Sequence, residues 1–159
     1  MKKTTGFTLI EIMIVVAIIA LLAMLAVPTA MRFLAKTKRT EAYMNLSSMY
    51  AAQKAYWAEN GKYSDTLSGP GGIGWKPEGY QGGGSQENFY YTYGFPGAEG
   101  KNYFTGKLGA SGAGLSGARA DANSFVVYAT GDIDGDGKLD IVSIDDRNTV
   151  KVVQDDLAD

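Results

Sequence analysis

The chain of 159 residues contains no cysteine, no histidine and only four prolines. Without cysteine there is no disulfide, no zinc–thiolate centre and no nucleophilic thiol. Without histidine the commonest general base and the His-based triads are missing. Serines such as Ser47, Ser48, Ser111, Ser116, Ser124 and Ser143 lie in no nucleophile-elbow pattern. Carboxylates are plentiful near the C-terminus, yet these absences together point away from an enzyme. A formal net charge of -2 leaves no basic excess for nucleic acid, and no aromatic platform for bases is legible.

Charge is also scarce where it matters most. From Phe7 to Val27 the sequence is apolar apart from Glu11, directly after the polar leader Met1-Lys2-Lys3-Thr4-Thr5-Gly6. As a helix, that run would be roughly 30 Å long, the thickness of a bilayer's hydrocarbon core. A lone carboxylate at the centre of such a helix costs ~2.5–3.5 kcal/mol, less near the interface, so Glu11 calls for a reason. A secretory signal has an apolar stretch of about 7–15 residues and a small-residue cleavage site. Here the run is longer and carries an acid, and cutting after Ala26 or Ala30 would place Met24 or Pro28 where a small residue belongs. A plain single-pass anchor accounts for length and apolarity but leaves Glu11 idle.

The stretch Gly6-Phe7-Thr8-Leu9-Ile10-Glu11, continued by Ile12-Met13-Ile14-Val15-Val16-Ala17, resembles the processing site and first helical turns of type IV pilins and type II secretion pseudopilins. The close likeness runs from Lys2 to about Pro28, and a looser one along the helix to about Ser64. The resemblance implies that a membrane-embedded prepilin peptidase cuts after Gly6 and methylates the new N-terminal Phe7. Cleavage would place an ammonium group at Phe7, one turn from Glu11, beside the unpartnered first N–H groups of the helix. A carboxylate there is stabilised by about 0.3–1 kcal/mol. In a filament, Glu11 would pair with the Phe7 ammonium of a neighbouring subunit, which makes Glu11 and Phe7 the expected assembly determinants. Many pilins also close a C-terminal loop with a disulfide. This chain departs from them, and its tail must be held in some other way.

Lys2 and Lys3 predict a cytoplasmic N-terminus. Arg32, Lys36, Lys38 and Arg39 then fall on the translocated side, against a simple count of basic residues, and the family resemblance decides the orientation. Pro28 removes one N–H and crowds the carbonyl of Met24, so a kink is expected there. From Thr29 to about Asn60 a helical pattern resumes, with Leu46, Met49, Tyr50, Gln53, Tyr56 and Trp57 at three- and four-residue steps facing a globular domain. Asn60-Gly61 is the stop signal.

Glycines cluster at Gly69–Gly74, Gly82–Gly84 and Gly106–Gly117. Their ordering entropy predicts loops with little core of their own, and the family resemblance implies that Gly69 to Gly84 lie on the exposed surface. Strand patterns appear at Asn88–Tyr93 and, more weakly, at Asn102–Thr105. The tyrosines at helix and strand spacing read as core.

A second motif is Asp132-Ile133-Asp134-Gly135-Asp136-Gly137-Lys138-Leu139-Asp140. Alternating aspartates before Gly137 match the first half of a calcium loop, in which carboxylates and one backbone carbonyl converge on a hard cation. The candidate ligands are Asp132, Asp134, Asp136 and Asp140 with the Lys138 carbonyl, and Asp145 or Asp146 is available to complete the shell. The twelfth position is Ser143 instead of Glu, and the flanks Phe125–Ala129 and Ile141–Ile144 read as strands, so this is no EF-hand. The motif resembles, in a single copy, the strand-linked calcium loops of integrin-like propeller repeats and bacterial surface proteins, and the family resemblance adds that some pseudopilins and pilins carry calcium between C-terminal strands, often as a clasp in place of the missing disulfide. A metal-free Asp-Gly hairpin turn fits the same residues. Beyond it, Asn148 and Thr149 predict a turn into a last strand at Val150–Val153, and 154–159 reads as an exposed acidic tail.

The expected fold is α+β: a long N-terminal helix, membrane-embedded in its first half, packed on a small antiparallel sheet as in type IV pilins. The segments are a leader at 1–6, an assembly helix at 7–28, an amphipathic helix at 29–60, a Gly-rich region with strands at 61–120 and C-terminal strands with the Asp-rich loop at 121–159. The family implies a subunit made in the bacterial inner membrane, processed by the peptidase, and passed by the inner-membrane assembly machinery into a homo-oligomeric extracellular filament. Three functions remain open on the sequence: a pilus subunit, a type II secretion pseudopilin, and an anchored calcium-binding adhesion module that never polymerises.

Overall fold

The computed structural model describes residues 6–109 and 112–158, and the leader residues Lys2 and Lys3, Ser111 and the final Asp159 lie outside them. The chain divides into two compact units, Met1–Leu34 and Ala35–Asp159. A single helix, α1 (Leu9–Asn60), contributes to both.

In the first unit every described residue is exposed, the large apolar side chains from Phe7 to Leu34 included. This stretch is long and apolar enough to cross a membrane. The helical run passes through Pro28 without a break. Next to it, the Thr29 hydroxyl donates to the Leu25 carbonyl at 3.1 Å, a side-chain bond within the turn where proline supplies no N–H.

The second unit contains the remainder of α1 and, among the described residues, a six-stranded antiparallel sheet. Its strands are β1 (Thr92–Gly94), β2 (Tyr103–Phe104), β3 (Arg119–Ala120), β4 (Phe125–Gly131), β5 (Asp140–Asp145) and β6 (Val150–Gln154). The order is β2-β1-β4-β5-β6, with β3 pairing the other end of β4 through Arg119↔Val126. Strands β4 and β5 form a hairpin whose connection is the Asp-rich loop, in register from Val126↔Asp145 to Gly131↔Asp140. The β5–β6 turn places Asn148 at φ 60°, a conformation asparagine tolerates better than most residues. The Asp145 carboxylate fixes that turn by accepting from Arg147 N–H at 3.0 Å and Thr149 N–H at 2.9 Å.

The helix stripe packs on this sheet as expected at Leu46, Met49 and Gln53, all fully buried. Ala35 and Ala42 extend the buried face upstream. Trp57 is 45% exposed, although its ring stacks on Tyr63 at 6.2 Å. The sheet contributes Phe125, Val127 and Ala129 from β4 and Val142 and Ile144 from β5, the inward residues of two alternating strands.

The Gly-rich region departs from the expectation of coreless loops. Leu67, Trp75, Phe89, Tyr91, Tyr93, Phe95, Phe104 and Leu115 are all buried. Trp75 packs edge-on to Tyr93 and Phe104 at 6.0 Å, and Tyr80 meets Phe104 at 4.7 Å. Glycine is what permits these aromatics to come together. A Cβ at Gly106 would stand 2.3 Å from the Tyr91 carbonyl oxygen, and one at Gly94 would stand 2.3 Å from that of Asn102. The glycines are therefore close-approach points between aromatic anchors. Tyr91 lies just outside β1, which is shorter and later than the Asn88–Tyr93 pattern; β3 and a 3₁₀ turn at Gly112–Leu115 have no counterpart in that pattern.

Acidic groups fasten the loops to the helix. Glu41 Oε1 accepts from Tyr90 N–H at 2.8 Å and from the Tyr93 hydroxyl at 3.0 Å. Gln53 clips the chain just past the helix, its Nε2 donating to the Ser64 carbonyl at 2.5 Å and its Oε1 accepting from Ser64 N–H at 3.2 Å.

Candidate functional site

Two sets of residues carry chemistry, one in each unit. At the start of α1, Thr8 and Glu11 bond reciprocally. The Thr8 N–H and hydroxyl both donate to Glu11 Oε2 at 2.7 Å, and Glu11 N–H donates to the Thr8 hydroxyl oxygen at 3.3 Å. This is a capping box: an N-cap threonine and a glutamate three residues on satisfy donors that the first turn leaves without helical partners. Glu11 thus has a structural task in the uncleaved chain. The Thr-x-x-Glu spacing at 8–11 was the signal for it. Gly6 and Phe7 precede the helix in non-helical conformation, with Phe7 85% exposed, so the expected cleavage junction lies on accessible chain.

In the second unit, Asp132, Asp134, Asp136 and Asp156 each bring one carboxylate oxygen within 4.8 Å of the others. The loop folds on its own side chains. Asp132 accepts from Gly135 N–H at 2.6 Å and from Gly137 N–H at 2.9 Å through its two oxygens. Asp134 and Asp136 accept from Asp136 N–H and Lys138 N–H at 3.2 and 2.8 Å.

Asp140 does not join this group. It is fully buried, and both its oxygens are taken: Oδ2 by Arg39 Nε at 3.0 Å and the Tyr91 hydroxyl at 2.6 Å, Oδ1 by Arg39 Nη2 at 2.5 Å and Asp156 N–H at 3.3 Å. Burial, and then the hydrogen bond to Asp140, push the Tyr91 hydroxyl well above the usual tyrosine range, so it donates at any ordinary pH. Asp145 and Asp146 are likewise absent from the group: Asp145 serves the β5–β6 turn, and Asp146 N–H donates to the Phe125 carbonyl. Lys138 sends its ammonium to the Ala158 carbonyl at 3.2 Å.

The fourth member of the cluster comes from the segment after β6, which is no exposed tail. Asp156 is 1% exposed, and Arg39 also binds Asp155. The arginine bridges helix, β5 and tail: its pair with Asp140 is buried, whereas its pair with Asp155, whose side chain is 42% exposed, fastens the segment after β6. Asp156 Oδ2 accepts from Ile133 N–H at 3.0 Å, whereas Oδ1 is buried with no hydrogen-bond partner. Burial raises the Asp156 carboxyl above the usual range, against the Ile133 bond, and Asp134, Asp136 and Asp132 add to the rise. No local spacing announces Asp156, 23 positions from Ile133, or Arg39, 101 positions from Asp140.

Residues 1–27 match the family model described as the prokaryotic N-terminal methylation motif. Over 76 residues, 48% of this chain, the sequence is 47% identical to the type IV major pilin protein PilA of Myxococcus xanthus (strain DK1622). The match spans 33% of that relative's length. With the exposed apolar helix, its acid at Glu11 and the antiparallel sheet beneath the helix's second half, the chain carries an N-terminal methylation motif at 1–27 and is similar, over 48% of its own length, to a type IV major pilin protein.

Proposed function

We propose that this chain is a structural subunit that polymerises through its N-terminal helix into a type IV pilus. The observation that carries the proposal is the apolar surface of α1 from Leu9 to Leu34, exposed along its whole length and joined to a methylation motif at 1–27. An apolar face of this extent in one chain has to be covered, first by lipid and then by the same helix of other copies. In the precursor the leader stays cytoplasmic and the helix spans the inner membrane. A prepilin peptidase then cuts after Gly6 and methylates Phe7. Removal of the leader frees an ammonium group one turn from Glu11, and in the filament Glu11 pairs with the Phe7 ammonium of a neighbour, offsetting the cost of an acid in an apolar bundle and setting axial register. The assembly machinery of the inner membrane passes the subunit into an extracellular homopolymer.

Immunogold labelling of cells with an antibody to the second unit tests this reading. Decorated surface filaments that disappear on deletion of the gene are expected. Membrane labelling without filaments would contradict it.

A further inference from the structure

We infer that a cleft between α1 and the Gly-rich region takes the guanidinium of Arg147 from a second copy of this chain, a contact between second units that rests on the polymerising subunit proposed above. The cleft has a volume of about 430 Å³ and is lined from α1 by Glu41 and Asn45 and from the Gly-rich region chiefly by Pro77, Glu78 and Phe89. Pro77 and Phe89 are buried and supply apolar surface, whereas Glu41 is half-buried and Glu78 exposed. Glu41 is held in place: its Oε1 accepts from Tyr90 N–H and the Tyr93 hydroxyl, and Asn45 Nδ2 donates to the same hydroxyl at 3.0 Å. These donors are neutral and leave the charge of Glu41 uncompensated, and among the described residues no basic side chain lines the cleft. Two carboxylates beside apolar surface suit an arginine. The flat, weakly hydrated guanidinium packs on proline and phenylalanine while its fork of N–H groups engages the acids; an ammonium, more strongly hydrated, gains less there.

The chain itself supplies the arginine. Arg39 is committed to Asp140 and Asp155, Arg32 belongs to the first unit, and Arg119 lines a separate groove together with Asp65. Arg147 is left, exposed in the β5–β6 turn. Among the described residues its guanidinium bonds to nothing, while its backbone is fixed: Asp145 accepts from Arg147 N–H at 3.0 Å and from Thr149 N–H at 2.9 Å. A fixed backbone reduces the entropy lost when the side chain docks. Arg147 does not reach the cleft of its own chain. Phe89 leads into β1, and β1 and β6 are three strand spacings apart in the sheet, about 14 Å. The turn also continues from Asp145, which faces Val126 near the start of β4, while β1 pairs with Tyr128–Thr130. A cleft and its ligand at two different places on one chain make a heterologous contact, which repeats into an open filament unless the rotation closes a ring. Each copy offers Arg147 to one neighbour and its cleft to another.

The absence of cysteine makes cross-linking the direct test. Filaments of the double variant Glu78→Cys/Arg147→Cys are treated with a short bis-maleimide and separated on a denaturing gel. A ladder of dimers, trimers and longer oligomers is expected, with each single variant remaining monomeric. Filaments of the double variant that give no ladder overturn the contact, as does cross-linking of Arg147→Cys alone, which would bring two copies of the turn together. Should the double variant not assemble, charge reversal decides. Arg147→Glu and Glu78→Arg should each lower the yield of sheared filaments by about tenfold or more, and their combination should restore it. Parent-like yield from Arg147→Glu, or no restoration by the combination, overturns the contact. Absence of filaments from the parent chain overturns the subunit reading itself, and the contact with it.

Discussion

Arg39 on α1 and Asp140 at the start of β5 meet in a two-pronged ion pair, Nε to Oδ2 at 3.0 Å and Nη2 to Oδ1 at 2.5 Å, with the Asp140 side chain fully buried. Asp140 also accepts from Tyr91 and from the backbone of Asp156, so one carboxylate ties the helix, the aromatic region and the end of the chain together.

Removing the arginine would leave a buried, uncompensated carboxylate. Arg39→Met should destabilise the second unit by about 3–5 kcal/mol, whereas replacing both partners by apolar residues of similar volume should restore much of the loss. Arg39→Lys should also be weaker than the parent, since an ammonium lacks the fork that engages both oxygens. Denaturant unfolding of the full chain in micelles, followed by tryptophan fluorescence, checks all three.

Acid should loosen the same region. The hydrogen bond from Arg39 holds the Asp155 carboxyl below the usual range, opposed by slight burial and aided by Leu157 N–H; backbone bonds from Asn123 and Ser124 do the same for Asp121. A carboxylate whose folded pKa is depressed contributes stability that is present above its unfolded value of about 3.9 and is lost as pH falls through the folded value. Melting temperatures should therefore fall below about pH 4. In Arg39→Met the part of that fall due to Asp155 should vanish, and an identical acid slope in parent and variant would refute the assignment.

Much of the fold was legible because it rests on local periodicity. The 3.6-residue stripe at Leu46, Met49 and Gln53 and the alternating strands at Phe125–Ala129 and Ile141–Ile144 each announce a buried face within a few residues. The Asp-rich loop was legible for the same reason, since Asp132, Asp134 and Asp136 lie at ligand spacing. What escaped is non-local. Whether Asp140 turns into the loop or into the core depends on Arg39, far away on the helix, and that choice also brings Asp156 to the loop in its stead. The Gly-rich region misled because composition registers the entropy of glycine but not the close approaches at Gly94 and Gly106 that let Tyr91 and Phe104 pack.

At the other end of the chain, Thr8 and Glu11 separate two roles that substitution can distinguish. Thr8→Val removes the hydroxyl from the capping box and should cost about 0.5–2 kcal/mol at the first turn, seen as faster amide exchange of residues 9–12. Glu11→Ala removes both the cap partner and the proposed partner of the Phe7 ammonium. It should abolish or disorder filaments while leaving leader cleavage intact, as read by electron microscopy and the mass of the mature chain. Normal filaments from Glu11→Ala would eliminate Glu11 as an assembly determinant.

The most direct measurement is the N-terminal peptide mass of the protein isolated from cells. The proposed processing predicts a chain that begins at Phe7 and carries one N-methyl group. A chain that retains Met1 and the leader would contradict it.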